Sequence, residues 1–156
     1  MRHFWLDRIT QLEPGVRATG VKAVALSEDQ FNDHFPGNPV LPGVYLLEGL
    51  AQTAGVLLQR SDFEHRLALM ATIERARFTG FARPGDQVTL EVEIESLEGG
   101  YARVRGTASV RERPIASARL TFKMVPPDRL IPPVYQALWQ QSMETWLGHY
   151  LELDDA

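Results

Sequence analysis

The sequence predicts an α+β domain in which a curved, mostly antiparallel sheet wraps around one long central helix. Three observations lead there. The run from Val44 to Leu58 is apolar apart from a thin polar stripe. Segments on either side of residue 100, and again up to Met124, alternate apolar and polar residues with a period of two. Gly99-Gly100 separates two of these segments as a hairpin turn would. A helix that is apolar nearly all round lies inside something. Long strands with one dry face are the material to enclose it.

On the central helix, Glu48, Gln52, Gly55 and Gln59 fall on one face at helical spacing. The run is too short and too polar to span a membrane. Arg17 to Leu26 alternates loosely and reads as a strand. Leu69 to Phe78 is extended and rich in core-type residues. Val88, Leu90, Val92 and Ile94 alternate with Thr89, Glu91, Glu93 and Glu95. After the turn, Ala102, Val104, Gly106, Ala108 and Val110 alternate with Arg103, Arg105, Thr107, Ser109 and Arg111. Glutamates on one wet face can therefore oppose arginines on the next. A third segment, Ile115 to Met124, puts Ala116, Ala118, Leu120, Phe122 and Met124 on one face. The expected total is four or five strands. Pro126, Pro127, Pro132 and Pro133 then punctuate the chain. Beyond them Tyr135, Leu138, Trp139, Met143, Trp146, Leu147 and Tyr150 recur at helical spacing. This predicts a C-terminal amphipathic helix that docks on its own domain or, alternatively, contacts a subunit or partner. The expected division is a domain over 1–128 and an appended segment over 129–156.

A chain of 156 residues, 44% hydrophobic and 23% charged, suits a single globular domain with a sizeable core. The absence of cysteine excludes a disulfide framework, cysteine-ligated zinc and a thiol nucleophile. A net charge of −4 argues against generic nucleic-acid binding. Met1 to Asp7 lacks an apolar signal region, so a cytoplasmic protein without membrane insertion is expected. With no metal cluster, phosphate loop or nucleotide motif, no cofactor and no metal are expected.

The chemistry concentrates in residues 33–52. Pro36, Pro39, Pro42, Gly37 and Gly43 fall within eight residues and fix a rigid, irregular loop. His34 opens the loop, and Glu48 sits one turn into the helix that follows. Burying a lone carboxylate is costly, so it has a partner or a role. His3, His65 and His149 read as surface residues.

The string from His34 to Gln52, His-Phe-Pro-Gly-Asn-Pro-Val-Leu-Pro-Gly-Val-Tyr-Leu-Leu-Glu-Gly-Leu-Ala-Gln, resembles the signature of the bacterial 3-hydroxyacyl-acyl-carrier-protein dehydratases. Ile9 to Pro14, Ile73 to Phe78 and Arg83 to Val88 resemble further segments of that family, so the likeness spans about residues 5 to 125. It implies the hotdog fold, an acyl-carrier-protein thioester as substrate and a homodimer, often a trimer of dimers. It also implies that each site takes its histidine from one subunit and its acid from the other. Glutamate rather than aspartate at position 48 is similar to the branch that dehydrates without isomerising. The implied pathway is fatty-acid or related lipid or polyene synthesis.

Elimination of water across C2 and C3 needs a base, an acid and donors for charge building on the thioester oxygen. An imidazole changes charge near neutral pH, which makes His34 the candidate base. Glu48 is the candidate acid, or it positions the leaving water. The Gly43 N–H, at the helix start, is the candidate oxyanion contact, with a plain turn glycine as the alternative. Gln52 either holds Glu48 or a water, or simply packs. Phe35, Val40, Leu41, Phe78 and Phe81 are candidates to line an acyl tunnel, or are core. Arg75, Arg77 and Arg83 are candidates for docking the acidic carrier protein, or are ordinary solvated arginines. Glu74, the stretch 79–82 and the C-terminal helix depart from the family pattern. A thioesterase on the same fold, or a non-catalytic acyl-binding scaffold, is the rival reading.

Overall fold

A computed structural model describes residues 4–61 and 66–148. Six strands form one antiparallel sheet: β1 (Arg8–Glu13), β2 (Arg17–Ala23), β3 (Leu67–Phe78), β4 (Gln87–Glu98), β5 (Tyr101–Val110) and β6 (Arg113–Val125). Their spatial order is β1-β2-β4-β5-β6-β3. The central helix α1 (Gly43–Gln59) lies against the sheet, and α2 (Pro133–Trp146) follows the last strand. Among the described residues no helix is long and apolar enough to cross a membrane.

Alternation decides the sheet's two faces. Val88, Leu90 and Val92 on β4, Ala102, Val104 and Ala108 on β5, and Ala116, Ala118, Leu120, Phe122 and Met124 on β6 are all buried. They meet Leu46, Leu47, Leu50, Leu57 and Leu58 of α1, which are also buried. Each such leucine contributes about 1.5–3 kcal/mol by leaving water. On the outer face Arg105 reaches Glu93, its cross-strand partner, at 2.7 Å, and Arg119 reaches Glu95 at 2.8 Å. The expected glutamate–arginine facing is therefore present. Gly99 and Gly100 take φ of 59° and 78°, the left-handed pair that a tight hairpin needs.

Three elements differ from the sequence reading. β1 was not expected as a strand: its half-buried residues, Ile9 and Leu12, are three apart because the register shifts between Ile9 and Gln11. β2 ends at Ala23 rather than Leu26. β3 has the expected extended form, but every residue from Leu69 to Phe78 is exposed. It occupies the sheet edge, where Leu67 and Ala68 pack on the core while Leu69, Met70, Ile73 and Phe78 stay exposed.

The C-terminal helix docks on its own domain through Met143 and Trp146, which are buried. Trp146 packs edge-on against Phe4, with ring centroids 5.1 Å apart. Tyr135 and Leu138, expected on the docking face, are exposed. Tyr150 falls outside the described residues. The indole N–H of Trp139 is buried with no acceptor among the described residues, at a cost of about 1–3 kcal/mol.

One ion cluster pins the loop that leads to the site. Lys22 is only 8% exposed. Its ammonium lies 2.7 Å from Glu28 and 3.4 Å from Asp7, and it donates to the Ala23 carbonyl at 2.7 Å. Removing a buried cation strands its partners, whereas an exposed pair such as Arg17–Glu13 contributes little. Lys22→Ala is expected to lower unfolding stability by about 1–3 kcal/mol in urea titration. Arg17→Ala is expected to change it by under about 1 kcal/mol. Equal losses would show that the cluster pins nothing.

Candidate active site

The loop from Asp33 to Pro42 is held by its ends and its middle. The His34 N–H donates to the Gln30 carbonyl at 3.1 Å, and the Asn38 N–H donates to the Phe35 carbonyl at 2.8 Å. The Leu41 N–H donates to the Ala82 carbonyl at 2.8 Å, and the Arg83 guanidinium donates to Asn38 Oδ1 at 2.6 Å. The three prolines restrict the remaining freedom. Within this frame His34 Nδ1 lies 2.8 Å from the Val40 carbonyl oxygen. A carbonyl only accepts, so Nδ1 is the donor, and in the neutral ring the lone pair falls on Nε2. Phe35 takes φ of 57° and turns its ring edge-on to the imidazole, with centroids 4.5 Å apart. A left-handed non-glycine residue costs about 1–2 kcal/mol, a strain the surrounding loop sustains.

The loop ends where α1 begins. Pro42 is the N-cap, and no side chain caps the helix. Of the first-turn N–H groups, that of Tyr45 donates to the Pro42 carbonyl at 3.0 Å, and those of Gly43 and Val44 have no side-chain acceptor. A Cβ at Gly43 would lie 2.8 Å from the Phe78 ring, so glycine is what lets β3 cross the helix start this closely.

Glu48 is half-buried on α1. Its Oε1 accepts from Gln52 Nε2 at 2.9 Å, and Gln52 Oε1 accepts from the Trp5 backbone N–H at 2.9 Å. The Trp5 ring stacks on Tyr45 at 3.8 Å. Gln52 therefore holds Glu48, one of the two roles its position suggested. Sequence reasoning missed Trp5 and Gly49. A Cβ at Gly49 would come within 2.8 Å of the Trp5 carbonyl oxygen and 3.0 Å of Leu90 Cδ1. Glycine there admits the Trp5 backbone to the helix, which makes the Trp5–Gln52–Glu48 relay reachable. A glycine inside a helix was the available signal.

Beside Glu48 and Gln52 lies a cavity of about 350 Å³. Met70 of β3, Phe122 of β6 and Trp139, Met143 and Trp146 on or beside α2 form its walls. His34 does not border it, nor do Phe35, Val40, Leu41, Phe78 or Phe81. Val40 and Leu41 are buried, while Phe35, Phe78 and Phe81 are 58%, 47% and 66% exposed. One chain thus presents the imidazole loop and the carboxylate cavity as separate features.

Arg75 and Arg77 border a shallow hollow on the outer sheet face together with Arg105 and Arg119. Arg83 is instead occupied in bracing Asn38. Glu74 accepts from Thr121 Oγ1 at 2.6 Å and Arg103 Nε at 2.9 Å. These hydrogen bonds hold its carboxyl below the usual carboxylate range. His3, His65 and His149 lie outside the described residues.

With this geometry in view, residues 2–119 match the model of the FabA-like domain. The chain belongs to the FabA-like domain family. A curated relative from Caldanaerobacter subterraneus subsp. tengcongensis, "3-hydroxyacyl-[acyl-carrier-protein] dehydratase FabZ", is 45% identical over 120 residues. The match covers 76% of this chain and 85% of the relative. A relative of the same name from Chloroflexus aggregans is 43% identical, over 80% of this chain and 87% of its own length. Among solved structures, a hot-dog-like protein from Thermanaerovibrio acidaminovorans superposes with a TM-score of 0.62 at 19% identity, covering 83% of this chain and 93% of that one. The FabA-like match stops at residue 119, before the end of β6 and all of α2.

Two glycines on α1 give opposite expectations. Gly49→Ala drives a methyl into backbone and is expected to cost about 1–3 kcal/mol. Gly55 has nothing within 4 Å of an added Cβ, so Gly55→Ala is expected to gain about 0.5–1 kcal/mol from helix propensity. Thermal unfolding of both variants checks this, and a neutral Gly49→Ala would contradict the close approach of Trp5.

Proposed function

We propose that this chain is a 3-hydroxyacyl-[acyl-carrier-protein] dehydratase of fatty-acid biosynthesis, working in the cytoplasm as a homodimer. One observation carries the chemistry. The two groups an elimination needs are each oriented by partners that do no chemistry: His34 by the Val40 carbonyl, Glu48 by Gln52 and Trp5. The activity printed for the curated relatives is the reaction those groups can perform.

His34 Nε2 takes the C2 proton, and the electrons of that bond form the C2–C3 double bond. The C3–O bond breaks, and the departing hydroxyl takes a proton from Glu48 and leaves as water. The thioester oxygen gathers charge in between and accepts from the uncapped helix start at Gly43, where the helix dipole also favours it. Return of a proton from the imidazolium to Glu48 resets both groups. The product is the trans-2-enoyl thioester.

Two surfaces support the proposed assembly. β3 is a twelve-residue edge strand with Leu69, Met70 and Ile73 exposed. A long apolar edge is a template for pairing, and a two-fold axis lets the β3 strands of two copies pair with each other. The exposed Phe35, Val44 and Phe78 beside the His34 loop would then gain cover. In this arrangement the imidazole of one copy serves the Glu48 of the other. For the carrier, the hollow with Arg75 and Arg77 offers positive charge to an acidic partner.

The test is loss of water from 3-hydroxyacyl carrier protein, followed by mass spectrometry. The wild type is expected to form the enoyl product, and His34→Ala and Glu48→Gln are each expected to fall at least about 100-fold. Release of free acid would make the chain a thioesterase. No turnover at any chain length would leave it an acyl-binding scaffold.

A further inference from the structure

We propose that α2 builds one wall of the acyl-chain site and that Trp139 and Met143 set which acyl tails the site admits. The inference rests on the dehydratase reading, because it takes Glu48 as marking where the reacting carbons sit. From there an aliphatic tail must continue along apolar surface. The core side of α1 offers no room: Leu50, Leu57 and Leu58 have no exposed surface. The room lies on the other side, in the cavity of about 350 Å³ that Glu48 and Gln52 border. That volume falls in the range of small-molecule sites, roughly 300–1,000 Å³.

The far side of this cavity belongs to α2. Trp139, Met143 and Trp146 face the polar stripe of α1 across it. Aromatic contacts fix the wall: Trp139 meets Trp146 edge-on at 6.3 Å, and Trp146 meets Phe4 at 5.1 Å. Arg60 at the end of α1 ties to Glu144 of α2 at 2.7 Å. The space stays open. A Cβ built on Gly55, which borders the cavity, meets nothing within 4 Å. Glu48 is the single charged side chain in the described lining. The chemical class admitted is therefore an uncharged aliphatic tail, and the adaptable thioether of Met143 suits such a surface. α2 lies beyond residue 119, where the family match ends, so this wall is outside the part of the chain that the family model describes.

Two substitutions in the full-length protein push the cavity in opposite directions. Trp139→Ala enlarges it. Leu130→Trp narrows it from the rim, where Leu130 is half exposed and outside the packed core. The measurement is kcat/KM for dehydration of 3-hydroxybutyryl and 3-hydroxyhexadecanoyl carrier protein. The long-to-short ratio is expected to rise at least about tenfold in Trp139→Ala and to fall by a similar factor in Leu130→Trp. A general loss of stability cannot move the ratio in both directions. A wild type that dehydrates both substrates while neither variant moves the ratio overturns the wall. A wild type that dehydrates neither overturns both the wall and the dehydratase reading beneath it.

Discussion

A seventeen-residue helix with five buried leucines excludes water only if something encloses it, and β2, β4, β5 and β6 curve around α1 to do so. The sheet reaches only part of the helix circumference. The strip it leaves carries Gly55 together with Glu48, Gln52 and Gln59, whose polar side chains a sealed core would reject. Enclosing most of α1 thus has a chemical consequence. It leaves one half-buried carboxylate on a rigid rod, beside a space that other elements must bound. β3, β6 and α2 bound it.

The site adds orientation to that placement. A loop with three prolines aims an imidazole by a single hydrogen bond to its own backbone. A glycine on the helix admits the Trp5 backbone, whose N–H then orients Gln52 and through it Glu48. Neither arrangement recruits a second charged group to position the first. The local strain at Phe35 is the cost of turning the loop this tightly beside the imidazole.

How much of this was legible in the sequence depended on whether a residue's role was local. β4, β5 and β6 were readable because each buries one face, so the period of two survives along most of each strand. β1 was hidden by a bulge that sets its two half-buried residues three apart. β3 was readable as extended but misjudged as core, because it lies at the sheet edge, where Leu69, Met70 and Ile73 stay exposed. His34 and Glu48 stood out through the proline and glycine frame between them. Trp5 lies 47 positions from Gln52 and Phe78 meets Gly43 across the fold, so no local pattern links them. The cavity wall was equally silent, since an apolar periodic helix reads the same whether it covers a core or bounds a space.

The proposed function requires that the imidazole loop and the carboxylate cavity, separate within one chain, complete each other between two copies. Co-refolding His34→Ala with Glu48→Gln chains tests it directly. Each variant alone is expected to be inactive, whereas random pairing makes half the dimers mixed, each with one intact site. Recovery of about a quarter of wild-type dehydratase activity is the expected result. A mixture as inactive as its parents would show that each chain assembles its site alone.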